Sequence, residues 1–299
     1  VASSNAALYC GATVDFVDID LITYNISPLE LEFKLKKAAE TGKLPKVVIP
    51  VHLTGQPCDM KRIKKLSDKY NFKIVEDASH AIGSKYYGKS VGNCQFSDIT
   101  VFSFHPVKII TTAEGGMALT NSAELAAKIT RDPAMMSKLP DGPWYYEQVS
   151  LGYNYRMTDL QAALGVSQID RLEHYIDRRH EIAQRYDDEL SGLPLILPHQ
   201  NNFSRSALHL YVIRLCLDQI APLTHSEVFT KLRDRGVLVN LHYIPVHTQP
   251  YYRNLGFNIG DYPNSEEYYQ SAISIPMYPT MTFDDQSYVI NLLSEILVS

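Results

Sequence analysis

The stretch KVVIPVHLTGQPCDMKRIKKLSDKYNFKIVEDA (46–78) decides the fold. It opens on an apolar run, KVVIPVHL (46–53), with the length and composition of a buried strand. DMKRIKKLSDKYN (59–71) then sets apolar residues at helical spacing. KIVEDA (73–78) is a second apolar run. Strands separated by a helix predict a mostly parallel sheet covered on both faces. The pattern extends in both directions. TVDFVDID (13–20) reads as a strand and SPLELEFKLKKAAETG (27–42) as a helix with Ser27 at its N-cap. DITVFSF (98–104) and GMALT (116–120) read as further strands. In sheets of this kind ligands gather beyond the carboxyl ends of the strands.

From Thr158 the pattern changes. Thr158 and Gln161 form a capping-box signature, and one long helix is expected from there to about Gly192. A strand (HLYVIRLCL, 209–217), a helix (THSEVFTKLRDRG, 224–236), a strand (VLVNLHYIP, 237–245) and closing helices follow. The division expected is a large domain over 1–170 and a smaller α/β domain over 171–299.

The composition narrows the function. With 299 residues and a net charge of −5, the chain offers no basic surface for nucleic acid or an anionic membrane. Its apolar runs are too short to cross a bilayer, and VASSNAALYC lacks the basic start of a signal peptide. The four cysteines form no CxxC pair, so free thiols in a cytoplasmic protein are expected. His242 and His247 are five apart with Pro245 between them, a poor metal spacing, and no metal is expected.

Two positions close buried strands. Asp77 ends KIVED, and Lys108 lies four residues after DITVFSF. Alone, a strand-terminal Asp is more often a cap and a lone Lys a solvated group. Together beyond two strands of one sheet they face one crevice, and pyridoxal-phosphate chemistry needs that combination: an amine to bond the cofactor's carbonyl and a carboxylate to keep a pyridine nitrogen protonated. Ser103 can offer a hydroxyl to a phosphate. Thr111, Thr112 and the turn Glu114-Gly115-Gly116 can bring backbone close to a flat ring. His80, three residues past Asp77, can face the ring's phenolic oxygen or sit as a core histidine.

VEDASHAIGSKYYGKSVGN and FSFHPVKIITTAEGG, with GQPCDM before them and LGYNYRMTDLQAALGVSQIDRL after them, resemble the DegT/StrS family of sugar aminotransferases along essentially the whole chain. FSFHPVK, DGPWYYEQ and HYIPVHTQPYY are most similar to its PseC-type branch. That branch aminates the C4 keto group of a UDP-linked 4-keto-6-deoxy-N-acetyl sugar on the way to pseudaminic acid.

The resemblance implies an aspartate-aminotransferase-like fold, pyridoxal 5'-phosphate as cofactor, glutamate as amino donor and a homodimer with shared sites. It implies Lys108 as the Schiff-base lysine, Asp77 as the pyridine-nitrogen partner, His80 beside the phenolic oxygen and Ser103 on the phosphate. Asn154 is expected to reach the neighbouring subunit's cofactor, and Asn240, Leu241, His242 and Tyr243 to contact nucleotide-sugar across the dimer. Family members carry a phosphate-binding loop ahead of the stretch matching Val1, so a chain truncated at its amino terminus is expected. The alternatives are GDP-perosamine or UDP-4-amino-arabinose chemistry on the same fold, and a catalytically silent homologue.

Overall fold

The computed structural model describes residues 1–130, 144 and 152–298. It begins with α1 (Ala2–Tyr9) and α2 (Pro28–Glu40). Ser27 caps α2 by accepting the Glu30 N–H, and Pro28 occupies the first helical turn, where its missing N–H costs nothing. Residues 13–20 depart from the expected strand and make one bridge only, Ile19 to Ile26. The Asp18 and Asp20 carboxylates take the N–H groups of Ile19, Ile22 and Thr23, in competition with any ladder there.

β1 is short (Val47–Val48), because Pro50 has no N–H to give a ladder. The chain then passes through a single 3-10 turn at Leu53–Gly55 into α3 (Met60–Tyr70). Asp59 caps α3, Asn71 ends it in the left-handed region, and Met60, Ile63 and Leu66 form its buried face. β2 (Lys73–Asp77), the hairpin of β3 (Lys85–Tyr86) and β4 (Lys89–Ser90), β5 (Ile99–Ser103), β6 (Gly116–Leu119) and α4 (Ala123–Thr130) follow. The main sheet runs β1-β2-β5-β6. Its first three strands are parallel and β6 returns antiparallel to β5.

The helix expected from Thr158 to Gly192 is two helices, α5 (Asp159–Ile169) and α6 (Leu172–Leu190). The Thr158–Gln161 capping box opens α5. At its end Arg171 N bonds Gln168 O, a tightened last turn that lets α6 take a new direction.

Beyond α6 come β7 (Leu195–Ile196), β8 (Ser204–Arg205), β9 (Tyr211–Leu215), α7 (His225–Asp234), α8 (Pro250–Arg253), α9 (Pro263–Ser271), β10 (Ala272–Ile275) and α10 (Phe283–Val298). A second, antiparallel sheet runs β10-β9-β7. β10 stands where only helices were expected. All four of its residues are buried, so it lacks the alternation that marks a half-exposed strand. Residues 237–245 do not form the expected strand and make one bridge, Asn240 to Ser274.

The largest apolar core packs α6, α7 and α10 on β9 and β10. Another packs α2 and α3 on β1 and β2, where Ile63 and Ile74 are fully buried, each worth about 1.5–3 kcal/mol. A third joins Phe102, Phe104, Ile109 and Ile110 to Ile176 of α6, and so braces the loop after β5. Strand pairing and ring packing are among the contacts that tie early chain to late chain. β3 pairs with β8, and the rings of Tyr24 and Tyr268 lie 4.6 Å apart. Among the described residues no helix is long and apolar enough to cross a membrane.

Candidate active site

β2 and β5 are neighbours and parallel, so their carboxyl ends open on one side of the sheet. β2 delivers Asp77 to that edge. Asp77 Oδ2 accepts the Ser3 hydroxyl of α1 at 2.6 Å, and Oδ1 accepts the Ser79 N–H at 3.0 Å. Burial alone would raise its pKa; the hydrogen bonds from Ser3 and Ser79 outweigh that and hold it below the ordinary carboxylate value. Asp77 is thus ionised at neutral pH.

β5 delivers Ser103, whose Oγ accepts the His105 N–H at 3.4 Å. Lys108 follows in the loop, half-buried. Burial lowers its pKa and Asp77 pulls the other way, which sets amine and carboxylate in one electrostatic neighbourhood. The imidazoles of His80, His209 and His242 register the same amine. Burial, then Lys108, holds His242 below its ordinary value. Burial and Lys108 push His80 down to about 3, with Asp77 opposing.

The loop after β5 is fixed by its own threonines. Thr111 Oγ1 bonds Phe104 O and Thr112 Oγ1 bonds Glu114 O. The Gly115-Gly116 turn serves this loop. A Cβ on Gly115 would stand 2.3 Å from Thr112 Oγ1, so the glycine admits a threonine of its own chain to that space.

The second half of the chain supplies the opposite wall. Asn240 is exposed and bridges Ser274 of β10 through its backbone. His242 Nδ1 lies 2.7 Å from Ser274 Oγ, and Tyr268 Oη donates to His242 O at 2.7 Å. Tyr243 Oη lies 3.4 Å from His80 Nε2, and burial raises the Tyr243 pKa. The segment expected to serve a neighbouring subunit therefore lies beside His80 of its own chain. Leu241 is half-buried there. Asn154 stands apart from this group. It is exposed, and its Oδ1 accepts Arg156 Nε at 3.2 Å. Apart from Trp144, the DGPWYYEQ segment lies outside the described residues.

Three participants were not legible in the sequence. Ser3 holds Asp77 from α1. Thr54 gives its N–H to His80 Nδ1 at 3.3 Å. His209 lays its ring 4.5 Å from that of His80. His209 sits just ahead of an apolar strand, and no spacing links it to a histidine so much earlier in the chain.

A pyridine aldehyde requires an ionised carboxylate, an amine short of solvation and a neutral donor nearby. Asp77, Lys108 and His80 meet those requirements, and the buried His209 Nδ1 beside them has no hydrogen-bond partner among the described residues. The residues present fit pyridoxal phosphate. A mostly parallel α/β sheet with this trio at its carboxyl edge is the arrangement of a pyridoxal-phosphate enzyme.

The chain belongs to the DegT/DnrJ/EryC1/StrS aminotransferase family, whose model matches residues 1–294, and pyridoxal phosphate is the cofactor this family implies. It is similar to the spore coat polysaccharide biosynthesis protein SpsC of Bacillus subtilis, 40% identical over 306 residues, covering 99% of this chain and 76% of that protein. It is 35% identical over 302 residues to the UDP-4-amino-4,6-dideoxy-N-acetyl-beta-L-altrosamine transaminase of Campylobacter jejuni, covering 99% and 76%. Among solved structures it superposes on Helicobacter pylori PseC, an aminotransferase involved in the biosynthesis of pseudoaminic acid, with a TM-score of 0.90 at 30% identity, covering 100% of this chain and 77% of that one. This chain is a sugar aminotransferase.

Proposed function

We propose that this enzyme transfers the amino group of glutamate to the C4 keto group of a nucleotide-linked 4-keto-6-deoxy sugar, of the UDP-4-keto-6-deoxy-N-acetyl-altrosamine type. The observation that carries the chemistry is the desolvated Lys108 amine sharing one crevice with the ionised Asp77. The sugar assignment is supported by the likeness to the altrosamine transaminase and to PseC.

Bound pyridoxal phosphate supplies an electron sink for the carbon that loses a proton. The chain's own groups do the rest. Asp77 holds the proton of the pyridine nitrogen. Lys108 anchors the cofactor and, as a free amine, takes the proton from the donor's Cα. A lowered pKa enlarges the neutral, basic fraction of that amine near pH 7. Ser103 contacts the phosphate. His242 and Tyr243 line the substrate side, with Asn240 and Leu241 leading into it. Asn154 reaches the cofactor of a second copy in a homodimer. α5 supports that last reading, because it turns Leu160, Val166 and Ile169 outward and buries none of its residues.

The test is turnover of keto-sugar nucleotides with glutamate, UDP-4-keto-6-deoxy-N-acetyl-altrosamine beside the GDP-perosamine and UDP-4-amino-arabinose precursors. Amination of the first in preference to the others is expected, with borohydride fixing the cofactor on the peptide that carries Lys108. Preference for another nucleotide sugar overturns the substrate. Label on a different residue overturns the role of Lys108.

A further inference from the structure

His80 lies just past Asp77, and its ring is gripped from several sides. The Thr54 N–H reaches its Nδ1 at 3.3 Å. A ring nitrogen that accepts a hydrogen bond carries no proton, so the neutral ring bears its proton on Nε2. Nε2 is the atom that looks across the crevice, 3.4 Å from Tyr243 Oη. On another side His209 packs ring to ring, with centroids 4.5 Å apart.

His209 is in turn fixed through its backbone. Buried Arg179, on α6, gives Nη1 to the carbonyls of Leu208, His209 and Met277 at 3.1, 3.1 and 3.0 Å. Leu208 is left-handed, with φ of 49°. The turn that carries Thr54 closes against the same point. A Cβ on Gly55 would stand 2.9 Å from Leu208 N and 3.0 Å from His80 O, so only glycine lets the Thr54 N–H come this near.

We propose that Thr54, His209 and Arg179 are positioning residues that lock His80 as a one-way donor, with its Nε2–H aimed into the crevice at the cofactor's phenolic oxygen. The aim at that oxygen rests on the cofactor reading above; the locked tautomer does not. The surroundings agree. Lys108 and His242 face His80 and oppose a second proton, as does burial, while Asp77 alone favours one. Tyr243 and His209 are the rings against it. Burial, followed by His80, Lys108, Arg179 and His242, keeps His209 well below its ordinary pKa. Neither histidine then carries protons between donor and acceptor, and that task falls to Lys108.

The test is NMR of the protein with nitrogen-labelled histidine, with and without pyridoxal phosphate, titrated from about pH 5 to 8. A His80→Gln variant assigns the signals. His80 is expected to show one neutral form, protonated on Nε2, throughout the titration. An Arg179→Met variant is expected to lose that single form and to show both tautomers, with the circular dichroism of the fold unchanged. A His80 that titrates in this range, or that carries its proton on Nδ1, overturns the proposal. So does a folded Arg179→Met protein with an unaltered His80 signal. If Arg179→Met fails to fold, the unaltered protein's titration still decides. Failure of the cofactor reading is separate: no visible absorbance develops on adding pyridoxal phosphate, while the His80 signal keeps its form.

Discussion

Glu76 and Asp77 are consecutive carboxylates on β2, and the histidines that attend them are built alike. In both rings Nδ1 accepts a backbone N–H, from Cys58 at 3.1 Å in His52 and from Thr54 at 3.3 Å in His80. Both therefore turn an Nε2–H outward. His52 gives that donor to Glu76 at 2.8 Å, and Glu76 also accepts Ser97 Oγ and Thr100 Oγ1. Every strong group there has met a protein partner, and the pair is buried. Among the described residues His80 Nε2 meets only Tyr243 Oη, at 3.4 Å, and Asp77 and Lys108 interact electrostatically without a direct bond between them. The strand pleat sends adjacent side chains to opposite faces. One carboxylate thus becomes a clamp joining β2 to His52 and to Thr100 of β5, and its neighbour lies at the carboxyl edge of the sheet. The same residue types bond one another on one face of β2 and, among the described residues, do not on the other.

Four measurements sharpen or break that contrast. Lys108→Ala has the largest expected effect. It removes the proposed base and covalent anchor, so kcat should fall by at least about 10²–10⁴-fold, and borohydride should no longer fix the cofactor. Retained turnover would dissolve the distinction between the two faces. His52→Ala comes next and strikes the closed face. It leaves Glu76 buried without its Nε2–H donor, and urea unfolding should show a loss of about 3–5 kcal/mol.

Asp77→Asn is the mirror experiment. Turnover should drop by about 10²–10³-fold, while the urea midpoint moves far less than in His52→Ala. Equal stability losses in the two variants would erase the contrast. The smallest effect concerns acid. The hydrogen bonds from His52, Ser97 and Thr100 hold Glu76 below its ordinary value of 4.5, against the burial that would raise it. A depressed carboxylate contributes stability that is present above pH 4.5 and is lost as pH falls through the folded-state value. The native protein should therefore weaken below that pH, and Glu76→Gln should show a shallower acid limb in the same titration.

Much of this was legible in the residues. Ser27 and Thr158 announced their helices because capping is a local matter of one side chain and the first turn. KIVEDA and DITVFSF announced strands of one sheet through their apolar runs. What escaped reading was set by contacts distant in sequence. β10 is a short run buried on both faces, and its neighbour β9 lies far earlier in the chain. Residues 13–20 alternate like a strand, yet their aspartates bond their own backbone. At the site, strand ends suggested Asp77 and Lys108 as a pair, and the family resemblance supplied their expected roles. Ser3, Thr54 and His209 could not, because each meets its partner through the packing of separate elements. The break between α5 and α6 lies in a stretch with no Gly or Pro to mark it.

The pairing of β3 with β8 has a topological consequence. Lys85 and Tyr86 are joined to Arg205 and Ser204 by strand hydrogen bonds, while the amino-terminal Tyr24 packs into a cluster with Val212 and Tyr268. The polypeptide thus folds back on itself, with the early β3–β4 hairpin taking the late strand β8 as its third strand. A single severed peptide bond at the corner between α5 and α6 would leave two strings still woven together. Continuity of the backbone at that corner is not what keeps the crevice walls facing one another.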